Sequence, residues 1–216
     1  MKFGRNSIME KSGKTMPRSL PVVLAVAIIV WRVCPVSGKS CFGVVFPEET
    51  YVQTGPLMLN GLGLRERALF RIGIYVAALY VTQKSTDAHT ILTSHTPKQL
   101  VLRFLRTVEG ADLKQAWDEG FADNAKAQLP ALKERLEQLN GWMVTLKRGQ
   151  ELTFTYKPGV GLEVEVNGTV QGTVEGEDFA TAFFAIWLGA RPLNRSLKAG
   201  LLGGVCGGTP RGFGRR

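Results

Sequence analysis

The stretch GLGLRERALFRIGIYVAALY, Gly61–Tyr80, decides how the whole chain is read. Its second half is apolar on both parities. Ile72, Ile74, Val76 and Ala78 share one side, and Gly73, Tyr75, Ala77 and Leu79 share the other. A strand that is greasy on both faces lies inside its sheet and is covered on both sides, so one long central strand is expected over residues 68–82. The first half places Arg65 just ahead of a reversal near Arg67–Leu69. If the chain turns back there, neighbouring strands bring Arg65 and Tyr75 together. A guanidinium fork grips a carboxylate or enolate oxygen bidentately, and a phenol adds a second donor. Such a pair at the mouth of an apolar cleft fixes the head of an amphipathic ligand. On spacing alone, a solvated basic rim made of Arg65, Arg67 and Arg71 is the simpler reading.

Working outward, Phe42–Phe46 and Leu57–Leu59 are short apolar groups punctuated by Pro47, Gly55 and Pro56, which predicts one or two strands. Downstream, Asp87–Ser94 is a short helix candidate, and Gln99–Arg106 alternates as a strand. Asp112 is placed to cap a helix running to about Gln128. A second helix carries Pro130 in its first turn and a stripe of Leu129, Leu132, Leu136 and Leu139, stopped by Asn140-Gly141. Three strands follow, Glu151–Lys157, Leu162–Val166 and Thr169–Val174, joined through PGVG and the Asn167-Gly168 turn. Glu177-Asp178 opens the nearly all-apolar helix FATAFFAIWLG, and Asn194–Leu202 predicts one more short helix. Strands, then helices, then strands, then a helix indicate an α+β architecture with helices gathered on one face of a largely antiparallel sheet.

The 216 residues, 44% of them apolar and 21% charged, suit one domain with a substantial core. The net charge of +9 is concentrated at the ends. Residues 1–38 hold six basic residues against one acidic, and Thr209–Arg216 holds three arginines, leaving about +1 for the body. A nucleic-acid binder carries its basic patch on the folded domain, so nucleic acid is not an expected partner. Lys11, Lys14 and Arg18 precede the uncharged run Leu20–Trp31, and Val36-Ser37-Gly38 offers a small-residue cleavage site. This is the layout of a secretory signal, with Met16 a possible start, and twelve apolar residues are short for a membrane span. The alternative is an uncleaved anchor. The expected organisation is a signal segment over 1–38, a domain over 39–203 and a disordered Gly/Arg-rich tail over 204–216. The protein is then exported, to a periplasm-like compartment, and meets the membrane only during export. Cys34 leaves with the signal, so Cys41 and Cys206 remain as a pair that an oxidising compartment could bridge.

His89 and His95 have no second ligand at metal-binding spacing, and no glycine-rich phosphate loop or nucleophile elbow is present. No metal and no cofactor are therefore expected. Two further features bear on a site. Trp117 and Asn124 are seven residues apart on one helix and project the same way, together with Leu113, Gly120 and Phe121. An amide on that apolar stripe needs partners, either backbone groups across the helix–sheet seam or a ligand. The helix Phe179–Leu188 could wall a cavity with Phe183, Phe184, Ile186 and Trp187, or simply form core.

In order along the chain, LNGLGLRERALFRIGIYVAALY, LVLRFLRTVEGADLKQAWDEGFADN, a strand pair with VNG, and DFATAFFAIWLGARPLNRSLKAGLLG resemble the chalcone isomerase family, in its bacterial chalcone-isomerase-like branch. The resemblance covers roughly Val45–Gly203. It implies an open-faced β-sandwich: a large antiparallel sheet, a layer of helices on one face, and a cleft between. The family contains isomerases that close a flavanone ring by oxa-Michael addition, and noncatalytic fatty-acid-binding members. Arg65 matches the family arginine that grips the ligand's anionic oxygen. Tyr75 falls where the isomerases carry threonine and the fatty-acid binders a tyrosine. The isomerases' helical tyrosine–asparagine pair reads Trp117 and Asn124 here, so the phenol is lost, and a polar position on the last helix is Ile186. The resemblance therefore implies a noncatalytic binder of a fatty acid or similar amphipathic carboxylate. Arg65 and Tyr75 hold the head group, Asn124 is a possible polar contact, and Trp117, Phe121, Phe183, Ile186 and Trp187 line the pocket. The alternative is an isomerase acting on a chalcone-like, aromatic enone.

Overall fold

The structure, a computed structural model, describes residues 37–67 and 72–207. The predicted signal segment up to residue 36, the connection 68–71 and the tail from 208 lie outside the described residues. The chain is α+β. Seven antiparallel strands form one curled sheet in chain order: β3 (Glu49–Val52), β4 (Gly55–Arg67), β5 (Ile72–Val81), β6 (Lys98–Phe104), β7 (Glu151–Lys157), β8 (Gly161–Val166) and β9 (Thr169–Glu175). A separate hairpin of β1 (Gly38–Cys41) and β2 (Val44–Pro47) precedes it. The helices are α1 (Ala88–Thr93), α2 (Gly110–Asn124), α3 (Leu129–Gly141), α4 (Glu177–Leu188) and α5 (Arg195–Leu201).

The two-faced strand β5 is covered on both sides, by different elements. Tyr75, Ala77, Leu79 and Val81 join the main core beneath α2, α4 and α5. Val76, Ala78 and Tyr80 join a second cluster with Leu57, Leu59, Leu62 and Leu64 of β4, roofed by Cys41 and Phe46 of the β1–β2 hairpin. Leu57–Leu59 and Leu62–Leu64 reach the same face because the register slips one residue at Asn60. A period-two strand would otherwise send one pair to the wrong side. The extra residue is an asparagine whose side chain donates to the Leu201 and Ser85 carbonyls at 2.7 and 2.9 Å and accepts from Ser85 N at 2.8 Å. The bulge thus ties the sheet to the end of α5.

Gly61 and Gly63 are the floor on which α5 lies. A Cβ on Gly61 would sit 2.7 Å from the Leu201 carbonyl oxygen, and one on Gly63 would sit 2.5 Å from the Leu197 carbonyl oxygen. The same logic joins α2 to α4, where a Cβ on Gly120 would meet both γ carbons of Ile186 at 2.8 Å. Helix α4 is buried from Phe179 to Leu188 except at Thr181, as its sequence requires.

Several boundaries differ from expectation. Helix α2 starts at Gly110 with Glu109 at its N-cap, so Asp112 lies in the first turn rather than capping it, and the helix ends at Asn124. Cys41 and Cys206 form a disulfide with Cα atoms 6.0 Å apart. Accordingly the described chain stays on the fold past Gly203, with Gly204 N donating to Ala199 O at 2.9 Å. The bridge and that hydrogen bond hold a glycine-rich segment whose composition alone predicts disorder.

Candidate functional site

The β4–β5 pairing sets Arg65 directly opposite Tyr75, and the register shifts immediately after Arg65. The guanidinium is half-buried. Its Nη1 donates to the Leu193 carbonyl at 2.8 Å and to that of Glu66 at 3.4 Å. Leu193 lies on the connection between α4 and α5, anchored by its own N–H on Ile186 O at 3.0 Å. Among the described residues no carboxylate forms a salt bridge with Arg65. The cation is held by carbonyl dipoles, and among the described residues its Nε and Nη2 have no hydrogen-bond partner.

Tyr75 is buried, and its hydroxyl accepts a hydrogen bond from Trp187 Nε1 at 3.1 Å. Burial raises the phenol pKa, opposed by the Arg65 charge and the Trp187 bond, so the group stays protonated at neutral pH. An indole N–H only donates. The phenol therefore spends a lone pair on Trp187 and keeps its own proton, for which the described residues provide no acceptor. Arg65 and Tyr75 both line one place.

That place is a half-open cavity of about 320 Å³ between the strand ends and α2. Arg65, Ile74 and Tyr75 form its sheet side, Leu113, Ala116 and Trp117 its helix side, and Leu193 closes one flank. Arg106, Asp112 and Glu119, all exposed, ring the opening. The volume falls at the small end of the ~300–1,000 Å³ usual for ligand pockets. Trp117 is 1% exposed, and its Nε1 is buried without a partner.

The structure brings Arg65, Tyr75 and Trp117 to one cavity and places the other expected site residues elsewhere. Phe121, Phe183, Ile186 and Trp187 do not line it; they are closed core behind Trp117. Phe121 packs on Phe179 at 5.2 Å between ring centroids, and Phe183 on Phe154 at 4.5 Å. Ile186 fills the gap over Gly120. Rings interlocked at these distances leave no room for a ligand. Trp187 reaches the site through its N–H alone. Asn124 braces the α4–α5 connection, donating to Gly120 O at 3.1 Å and Arg191 O at 2.9 Å and accepting from Arg191 N at 3.0 Å. Seven residues of helix put it on the stripe of Trp117 but about 10 Å further along the axis.

Sequence reading missed Leu193, Ala116 and the charged ring. Leu193 is 128 residues from Arg65, and its contribution is a backbone carbonyl, which carries no residue-type signal. Ala116 could have been found as the neighbour of Leu113 on the stripe of α2. Among the described residues no group of three or more His, Cys, Asp or Glu could hold a metal ion, and no helix is long and apolar enough to cross a membrane.

A curled seven-stranded antiparallel sheet with helices on one side is the open-faced β-sandwich of chalcone-isomerase-like proteins. The chain belongs to that family, whose sequence model, described as chalcone isomerase-like, matches residues 38–203. Among solved structures, the chain is similar in fold to a fatty-acid binding protein from Arabidopsis thaliana. The TM-score is 0.64 at 15% identity, covering 77% of this chain and 96% of that one. No curated protein matches the chain in sequence.

Proposed function

We propose that this protein binds a fatty acid or similar amphipathic carboxylate, without catalysis, in the cavity between β4–β5 and α2. The observation that carries the reading is the buried tyrosine facing an arginine that forms no salt bridge among the described residues, its guanidinium held by carbonyls alone. A carboxylate supplies acceptors and one negative charge, which this pair lacks. The apolar walls Ile74, Leu113 and Trp117 take the first part of the chain. The Arabidopsis relative in fold is itself described as a fatty-acid binding protein, which supports the same reading. Position 117 offers an indole in place of a phenol, and Ile186 is buried core, so neither of these two positions supplies a hydroxyl to an enone.

We also read the protein as exported. The uncharged run Leu20–Trp31 behind basic residues supports this, and so does a disulfide between Cys41 and Cys206, which persists in oxidising compartments. Native mass spectrometry of the purified protein tests the ligand: a co-purifying carboxylate lost on Arg65→Ala is expected. No bound lipid, with carboxylate affinity unchanged in Arg65→Ala, overturns the proposal.

A further inference from the structure

We infer that Trp117 closes the inner end of the cavity and restricts the site to carboxylates of short to medium chain, about eight to ten carbons. The inference rests on the carboxylate reading above and adds the length limit. The cavity is about 320 Å³. If each heavy atom of the ligand takes the ~30 Å³ that one water takes in the liquid, that volume holds about ten heavy atoms, those of an eight-carbon acid. A sixteen-carbon acid, with eighteen heavy atoms, needs roughly 540 Å³ on the same basis.

The inner end does not yield readily. Trp117 stands against Trp187 at 5.4 Å, Phe183 at 5.9 Å and Phe154 at 6.0 Å between ring centroids. All four residues are at most 1% exposed. To pass Trp117, a tail must swing an indole into rings that are already in contact, in an interior as dense as an organic crystal. The other way out is through the opening, past Arg106, Asp112, Glu119 and Gln115. Methylenes lying across that charged ring stay wet and gain nothing from burial. Depth is therefore set by one side chain, Trp117.

The test is isothermal titration calorimetry of the full chain with hexanoate, octanoate, decanoate, dodecanoate and palmitate. Affinity is expected to rise about fourfold per methylene, the ratio that corresponds to ~0.8 kcal/mol per buried CH₂. The rise should stop near ten carbons. Trp117→Leu should move the plateau to longer chains. Ala116→Leu, on the partly exposed helix face that lines the same cavity, should move it to shorter ones and does not depend on the core tolerating a lost indole. Affinity climbing without a break to palmitate overturns the length limit and leaves the carboxylate reading standing, as does a plateau that Ala116→Leu does not shift. Failure of every acid to bind, or binding indifferent to Arg65→Ala, overturns the carboxylate reading itself.

Discussion

Arg65 is secured by one nitrogen and keeps the rest of its fork for a ligand. A charge-assisted hydrogen bond contributes ~1.5–3 kcal/mol, so Arg65→Ala should weaken octanoate binding about 10- to 100-fold by calorimetry, with little change in melting temperature. Tyr75→Phe should behave differently. It removes a donor to the ligand and also strands the buried Trp187 N–H. Leaving such a group without an acceptor costs ~1–3 kcal/mol, so both affinity and chemical-denaturation stability should fall. If Tyr75→Phe weakens binding at full stability, the Trp187–Tyr75 bond does not stabilise the fold.

Among the elements, the contact of α5 with β4 depends on the absence of side chains at Gly61 and Gly63. Forcing a methyl against a carbonyl oxygen costs ~1–3 kcal/mol when the backbone must shift. Gly63→Ala should therefore lower the urea midpoint markedly. It should also loosen Arg65, because the α4–α5 connection carrying Leu193 moves with α5. Asn124 braces the other end of that connection with three hydrogen bonds. Asn124→Ala should cost stability while reducing octanoate affinity less than Arg65→Ala does. An effect on affinity as large as that of Arg65→Ala would show Asn124 to be a ligand contact.

For the molecule as a whole, the disulfide ties the β1–β2 roof to the segment after α5 across 165 residues of chain. In the loop-entropy account a ring of that size is worth about 5 kcal/mol, so a reducing agent, or Cys206→Ser, should lower the denaturation midpoint sharply. Among the described residues the charged side chain that is buried is Lys98. Lys98 donates to the carbonyls of Ile91, Leu92 and Ser94 at 2.6, 3.3 and 3.0 Å, capping α1. Burial depresses its pKa to about 8, with Glu177 opposing. The unfolded chain then binds more protons than the folded one above pH 8, so this group's contribution to stability rises as pH increases from about 8 toward 10. Above pH 10 the buried hydroxyls of Tyr80 and Tyr156, raised to about 12, work in the opposite sense. Urea denaturation of the wild type and Lys98→Met across pH 7.5–9.5 should show the rise in the first and its loss in the second.

Local pattern was enough for the elements. A run apolar on both parities marked β5, alternation marked β6, the PGVG and Asn167-Gly168 turns marked β7 to β9, the latter with both residues at positive φ, and an all-apolar run marked α4 as buried. These follow from neighbours along the chain, where side-chain direction repeats on a fixed period. That Arg65 and Tyr75 come near each other was legible only as a condition on the chain reversing between them; their direct pairing depends on where it reverses and on the register shift after Arg65. Which polar and aromatic residues share the cavity was decided only in three dimensions. Trp117 and Asn124 stand on one stripe, yet one walls the cavity and the other braces a loop. Phe183 and Trp187 look like lining but are core. The carbonyl that holds Arg65 comes from 128 residues away. Periodicity states which face of an element is covered. What covers it, and whether a gap remains, depends on how closely the helices settle on the sheet, and that is fixed by contacts no single segment contains.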